Sequence, residues 1–179
     1  MSESRSVGRI WTAPARASLC AISVEVVPVD LLTQWRRCGM ISDGLADYLS
    51  YAFERRDVAR SILSTVVNEL VENIAKYSAD KLVPARLSLE HHGASLVVSS
   101  RSVANAAHVG ALAEELAELA SGNPAEVFAR LVAERRGLGL ALVASDYGAA
   151  LGATISPAGG GLSTVSLTAV LPASEVEQR

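Results

Sequence analysis

Aromatic residues make up only 4% of the 179 residues, so a core here must be packed by Ala, Leu, Val and Ile. There are two cysteines, Cys20 and Cys38, without metal-ligand spacing and without histidines nearby. That excludes a zinc site built on them and leaves them as buried thiols or bystanders. No basic excess is present: the net charge of −3 gives no electrostatic reason to expect nucleic acid or an anionic membrane. No apolar run reaches the roughly 18 residues of a membrane span. Met1 to Gly8 is polar and lacks the apolar stretch of a signal peptide. The expectation is a cytoplasmic protein.

Half of the chain is hydrophobic and 20% is charged, which suits one folded domain over residues 1–179. Residues 1–8 and 173–179 are polar and are expected to be frayed ends. Ser18–Val27 reads as a strand. Asp30–Arg37 and Asp43–Phe53 read as short helices, with Asp43 as a cap for the second. Asp57–Tyr77 carries the strongest helical pattern, because Ile62, Val66, Leu70, Ile74 and Tyr77 recur at three- and four-residue steps. Arg86–Glu90 and Ser95–Val98 form a hairpin around His91-His92-Gly93. Ala106–Ala120, Pro124–Glu134 and Gly137–Tyr147 are helical, and Ala153–Ser156 and Ser163–Val170 are closing strands. This order favours an α/β (α+β) two-layer sandwich: a mixed, mostly antiparallel sheet covered by helices on one face.

Chemistry concentrates on the long helix. Glu69 and Asn73 are four residues apart and Lys76 follows three later, so a carboxylate, an amide and an ammonium share one edge. A carboxylate can take a proton, an amide oxygen can ligate Mg²⁺ and an ammonium can face phosphate. By spacing alone this is also the polar margin of any amphipathic helix. A second cue is Glu134-Arg135-Arg136-Gly137-Leu138-Gly139-Leu140 at the start of a helix. Glycines there let backbone N–H groups approach an anion. Alone, the pair fits a tight turn into a buried helix as well.

Together these stretches carry a resemblance. Glu69-Leu70-Val71-Glu72-Asn73-Ile74-Ala75-Lys76-Tyr77 resembles the N-box of the GHKL superfamily of ATP-binding proteins. The Glu-Arg-x-Gly-Leu-Gly form and the hairpin after it resemble that superfamily's second glycine box. The likeness runs from about Ser61 to Pro172 and is nearest to stand-alone anti-sigma-factor serine kinases and SiaB-type partner-switching kinases. It implies the Bergerat fold and the ligands ATP and Mg²⁺. Glu69 matches the general base, Asn73 the Mg²⁺ ligand and Lys76 the basic residue near phosphate. Arg136, Gly137, Leu138, Gly139 and Leu140 match the phosphate-side box, and Thr164 falls near the family's phosphate-side threonine. Glu72 reads as a solvated charge.

The resemblance breaks at the adenine box. An Asp-x-Gly-x-Gly is expected after the second hairpin strand, where this chain has Ser99-Ser100-Arg101-Ser102-Val103. Ser99 or Ser100 stands in the aspartate's place. Losing a charge-assisted bond of about 1.5–3 kcal/mol weakens binding about ten- to a hundredfold. The segment Ala106–Ala120, where the lid belongs, is acidic through Glu114, Glu115 and Glu118. Arg101, Arg130, Arg135 and Arg136 are the available replacements for a lid cation.

The remaining polar residues read more plainly. His91 and His92 are adjacent and would face opposite sides of an extended chain, so they read as surface histidines. His108, alone in its helix, reads likewise. The implied function is a bacterial ATP-dependent serine/threonine kinase or anti-sigma-type regulator. Its partner would be an anti-sigma antagonist-like substrate or a sigma-like regulator. The alternative is a degenerate GHKL-fold docking module that no longer binds ATP. A homodimer through the Ser18–Val27 edge is a further expectation.

Overall fold

The computed structural model describes residues 3–14, 17–134 and 138–178. The chain runs β1 (Arg5–Gly8), β2 (Cys20–Val26), α1 (Pro28–Thr33), α2 (Arg36–Ser50), α3 (Arg56–Tyr77), β3 (Ala85–His91) and β4 (Ser95–Ala104). It continues through α4 (Ala106–Ser121), α5 (Pro124–Glu134), α6 (Gly139–Tyr147), β5 (Ala150–Gly159), β6 (Leu162–Pro172) and α7 (Ala173–Gln178).

The helix with the strongest pattern, α3, is the spine. Ile62, Val66, Leu70 and Ile74 are buried as the stripe predicts, and so are Leu63, Val67 and Val71. The buried face is this wide because α3 packs on α2 as well as on β3 and β4. Each fully buried aliphatic side chain contributes about 1.5–3 kcal/mol. Tyr77 leaves the stripe and is 43% exposed. Helix α2 runs unbroken through Gly39 and Gly44, so Asp43 is mid-helix and caps nothing. Burial of Cys38, Leu45, Ala46 and Leu49 outweighs the cost of two helical glycines, about 1 kcal/mol each. Asp43 instead accepts a hydrogen bond from Ser64 Oγ at 2.6 Å, tying α2 to α3.

The six strands form one sheet in the order β1-β5-β6-β4-β3-β2. Every described pairing is antiparallel, so the expected two-layer class holds. Side chains alternate across it. Leu87, Leu89, Leu96, Val98, Leu167 and Ala169 enter the core, while Ser88, Ser99, Arg101 and Thr168 lie on the outer face.

The ends are structured where fraying was expected. β1 pairs with β5 from Arg5↔Ile155 to Gly8↔Gly152. α7 buries Val176 completely and packs on α3. After β1 the chain turns over the outer face, where the Arg9 N–H donates to the Leu151 carbonyl at 2.7 Å. The Arg9 backbone lies on Gly152, leaving no room for a Cβ there. Trp11 then packs on His92 at 4.9 Å between ring centroids. His92 is therefore no surface histidine: its side chain is 6% exposed and its Nε2 lies 3.0 Å from Glu90 Oε2. No helix among the described residues is long and apolar enough to cross a membrane.

Candidate functional site

A cavity of about 190 Å³ opens between α3, the β4–β6 surface, α4 and the start of α6. One wall is α3. Its four-residue steps bring Glu69, Asn73 and Tyr77 to the same side, facing the cavity. The floor is Ser100 and Ser102 on β4 with Val165 and Leu167 on β6. Helix α4 covers it with His108, Leu112 and Glu115, and Leu138, Gly139 and Leu140 close the end near Glu69.

Glu69 is half-buried and accepts no hydrogen bond among the described residues. Burial pushes its carboxyl pKa up, the negative charge of Glu72 adds to the rise, and Lys76 opposes it. Asn73 is partly buried, and its amide has no hydrogen-bond partner among the described residues. Gly139 explains how α6 comes so close. A Cβ on it would overlap Glu69 Oε2 and lie 2.7 Å from the carboxyl carbon. A glycine at this helix start thus makes room for the carboxylate.

Lys76 reaches the cavity rim but is held by Glu72 Oε2 at 2.7 Å, with Trp35's ring centroid 5.4 Å from its Nζ. Glu72 is correspondingly not a free solvated charge. It also accepts from Asn68 Nδ2 at 2.9 Å, and its side chain is 21% exposed. The bond to Glu72 is the main reason the Lys76 pKa is raised.

Other expected site residues separate by strand parity. Ser100 is buried at the cavity floor, whereas Ser99 lies on the outer face, 3.5 Å from Thr168 Oγ1. Thr164 alternates with Val165 and so also faces away from the cavity. Arg101 is exposed on the outer face opposite Arg86. Arg130 is exposed on α5 and paired with Glu118 and Glu134. Neither arginine lines the cavity. Arg135, Arg136 and Gly137 lie outside the described residues.

Where the adenine box belongs, β4 pairs with β6 without interruption from Ser95↔Pro172 to Ala104↔Ser163. Asn105 follows at once and caps α4, its Oδ1 accepting from the His108 N–H at 2.9 Å. There is no loop between β4 and α4. This places His108 in the cavity wall, which corrects its reading as a surface residue. Tyr77, Ser102, Leu112 and Glu115 were not foreseen as lining residues either. Tyr77 had a signal in its place one helical turn beyond Asn73, and Asn105 was a legible cap.

The donor set fits Mg²⁺ with a polyphosphate. The Glu69 carboxylate and the Asn73 amide, neither bonded to a described residue, line one space, and Gly139 lines it beside them. Among the described residues no group of three or more His, Cys, Asp or Glu side chains converges. Mg²⁺ is commonly held by one or two side-chain oxygens together with phosphate. An aspartate for adenine is missing.

No family model matches the chain, and no curated protein matches it. Among solved structures it is similar to a chain of the SiaB-SiaC complex from Pseudomonas aeruginosa. The TM-score is 0.67 at 19% identity, over 87% of this chain and 91% of that one. The likeness is one of fold.

Proposed function

We propose that this chain is a GHKL-type nucleotide-binding signalling protein, acting as a serine/threonine kinase on a protein partner in a partner-switching pathway. The observation that carries this reading is the cavity wall itself. Glu69 and Asn73 face it without a hydrogen-bond partner among the described residues, one helical turn apart, with Gly139 pressed against the carboxylate.

Mg-ATP, when bound, supplies the phosphoryl group and neutralises its charge. Asn73 Oδ1 would hold the Mg²⁺ and the backbone around Gly139 would face the phosphates. Glu69 would take the proton of a partner's serine or threonine hydroxyl as that oxygen bonds to the γ-phosphorus and the bond from the γ-phosphorus to the bridging oxygen breaks, ADP leaving with the electron pair. A carboxyl with a raised pKa is a stronger base once ionised, and no described residue donates a hydrogen bond to this one. Chain residues thus contribute positioning and one proton acceptor, which suits phosphoryl transfer.

The neighbouring structure is a complex of SiaB with SiaC. That supports a protein partner here, an anti-sigma antagonist-like substrate or a sigma-like regulator. β2 ends the sheet with one side unpaired among the described residues. That leaves an edge for a homodimer, which light scattering tests at micromolar concentration.

Calorimetry with ATP and ADP, with and without Mg²⁺, tests the reading. Wild type should bind in a Mg²⁺-dependent way, and Asn73→Ala should lose at least about tenfold in affinity. Glu69→Gln should keep or improve binding, because it removes a negative charge from the cavity, while abolishing transfer to the partner. One observation favours a second reading: β4 runs on through the position expected for the adenine box. A protein-docking module without nucleotide is the outcome if millimolar Mg-ATP does not bind.

A further inference from the structure

One side chain in the cavity wall has no part in the chemistry at Glu69. His108 lies in the first turn of α4, fixed in height by the Asn105 cap. Its ring lines the cavity and packs against Tyr77, with centroids 5.1 Å apart. Its Nδ1 is buried and has no hydrogen-bond partner among the described residues. A buried ring nitrogen without a partner is destabilising unless something supplies the missing bond. Ser100 and Ser102 lie two residues apart on β4, and their side chains line the floor of the same cavity.

These groups stand at the Tyr77 end. Along α3, Tyr77 is eight residues from Glu69, a distance of about 12 Å. Glu115, the carboxylate that α4 brings to the cavity, is seven residues beyond His108, about 10 Å along that helix. The polar groups lining the cavity around Tyr77 are its own hydroxyl, the Lys76 ammonium held by Glu72 and the His108 imidazole, and Ser100 and Ser102 add two hydroxyls from the floor.

We infer that His108, with Ser100 and Ser102, reads the base of a purine nucleotide, and that this cavity takes adenine and guanine alike. The inference rests on the nucleotide-binding reading above. An ionised aspartate only accepts, so it selects a base edge that presents an amino donor at one place. A neutral imidazole has one donor and one acceptor nitrogen and can exchange them by tautomerism. A serine hydroxyl rotates and can do either. Such a set matches the donor and acceptor order of adenine or the reversed order of guanine. What replaces the missing aspartate is thus a tolerant contact.

Calorimetry with Mg-ATP, Mg-GTP and Mg-tripolyphosphate on wild type, His108→Ala and His108→Phe tests it. Wild type should bind ATP and GTP within about tenfold of each other. His108→Ala should weaken both nucleotides about tenfold and leave tripolyphosphate unchanged. His108→Phe keeps a ring against Tyr77, so it should melt like wild type yet not regain the nucleotide affinity. A preference of more than about tenfold for either nucleotide overturns the inference. So does a His108→Ala variant that binds nucleotides as wild type does, or one that loses tripolyphosphate equally. If wild type binds none of the three ligands, the nucleotide reading itself falls and this inference with it. Wild-type binding without a His108 effect removes this inference alone.

Discussion

The two ends of the cavity are built in opposite ways. At one end Glu69 and Asn73 share a helix, and their relation follows from a four-residue step. At the other, Ser100, Ser102 and His108 come from a strand and a different helix, and Tyr77 meets His108 only because α4 folds over α3. The first end is rigid because the spine behind it is fully buried. The second depends on where one capped helix starts.

That contrast can be broken at its foundation. Leu70, next to Glu69, is completely buried beneath the α3 wall of the cavity. Leu70→Ala should cost about 2–5 kcal/mol in urea unfolding. Tyr77→Ala, at the exposed end of the same helix, should cost far less. Equal losses would mean that α3 is not a graded support.

A smaller effect is expected at the contact between helix and carboxylate. Gly139→Ala places a methyl where the Glu69 carboxylate now lies. That carboxylate is the far end of a flexible side chain and can swing away. We expect a stability change below about 1 kcal/mol. Under the proposed kinase function, phosphoryl transfer should fall about ten- to a hundredfold, as expected for a displaced general base. In Glu69→Ala the same substitution should add nothing further. Additive losses would show that Gly139 acts separately from Glu69.

The smallest effect is electrostatic. Burial raises the Glu69 pKa, so the folded protein holds this proton to higher pH than the unfolded chain does. The folded state is then best favoured below the ordinary value of 4.5 and loses that advantage as pH rises through the raised one. Glu69→Gln removes the titration. Its melting temperature should gain on wild type as pH climbs from 4.5 towards neutrality. A constant difference across that range would contradict the unpaired, half-buried carboxylate.

Much of this molecule was legible because its signals are local. Periodicity located α3, Pro124 and Glu134 bounded α5, and the paired motifs pointed to one helix wall. What escaped depends on partners far along the chain. Ser99 and Thr164 were placed near the ligand by counting along motifs, but strand parity turns both to the outer face. Parity shows only once register is known. β1 escaped because four residues carry too little pattern, and their pairing lies on β5. His108 escaped because a single histidine in an Ala-rich helix carries no periodic signal, while the cavity it lines is assembled from five elements.

The position of β1 has a consequence for how the protein forms. β1 and β2 follow one another in sequence yet stand at opposite edges of the sheet. β1 is synthesised before any other described strand, but Arg5 must wait for Ile155 before it can pair. Closing so long a span is slow and comes late. On the ribosome, β1 therefore stays unpaired until β5 has emerged. A nascent chain halted before β5 would leave this segment open to protease, and release of the full chain would protect it.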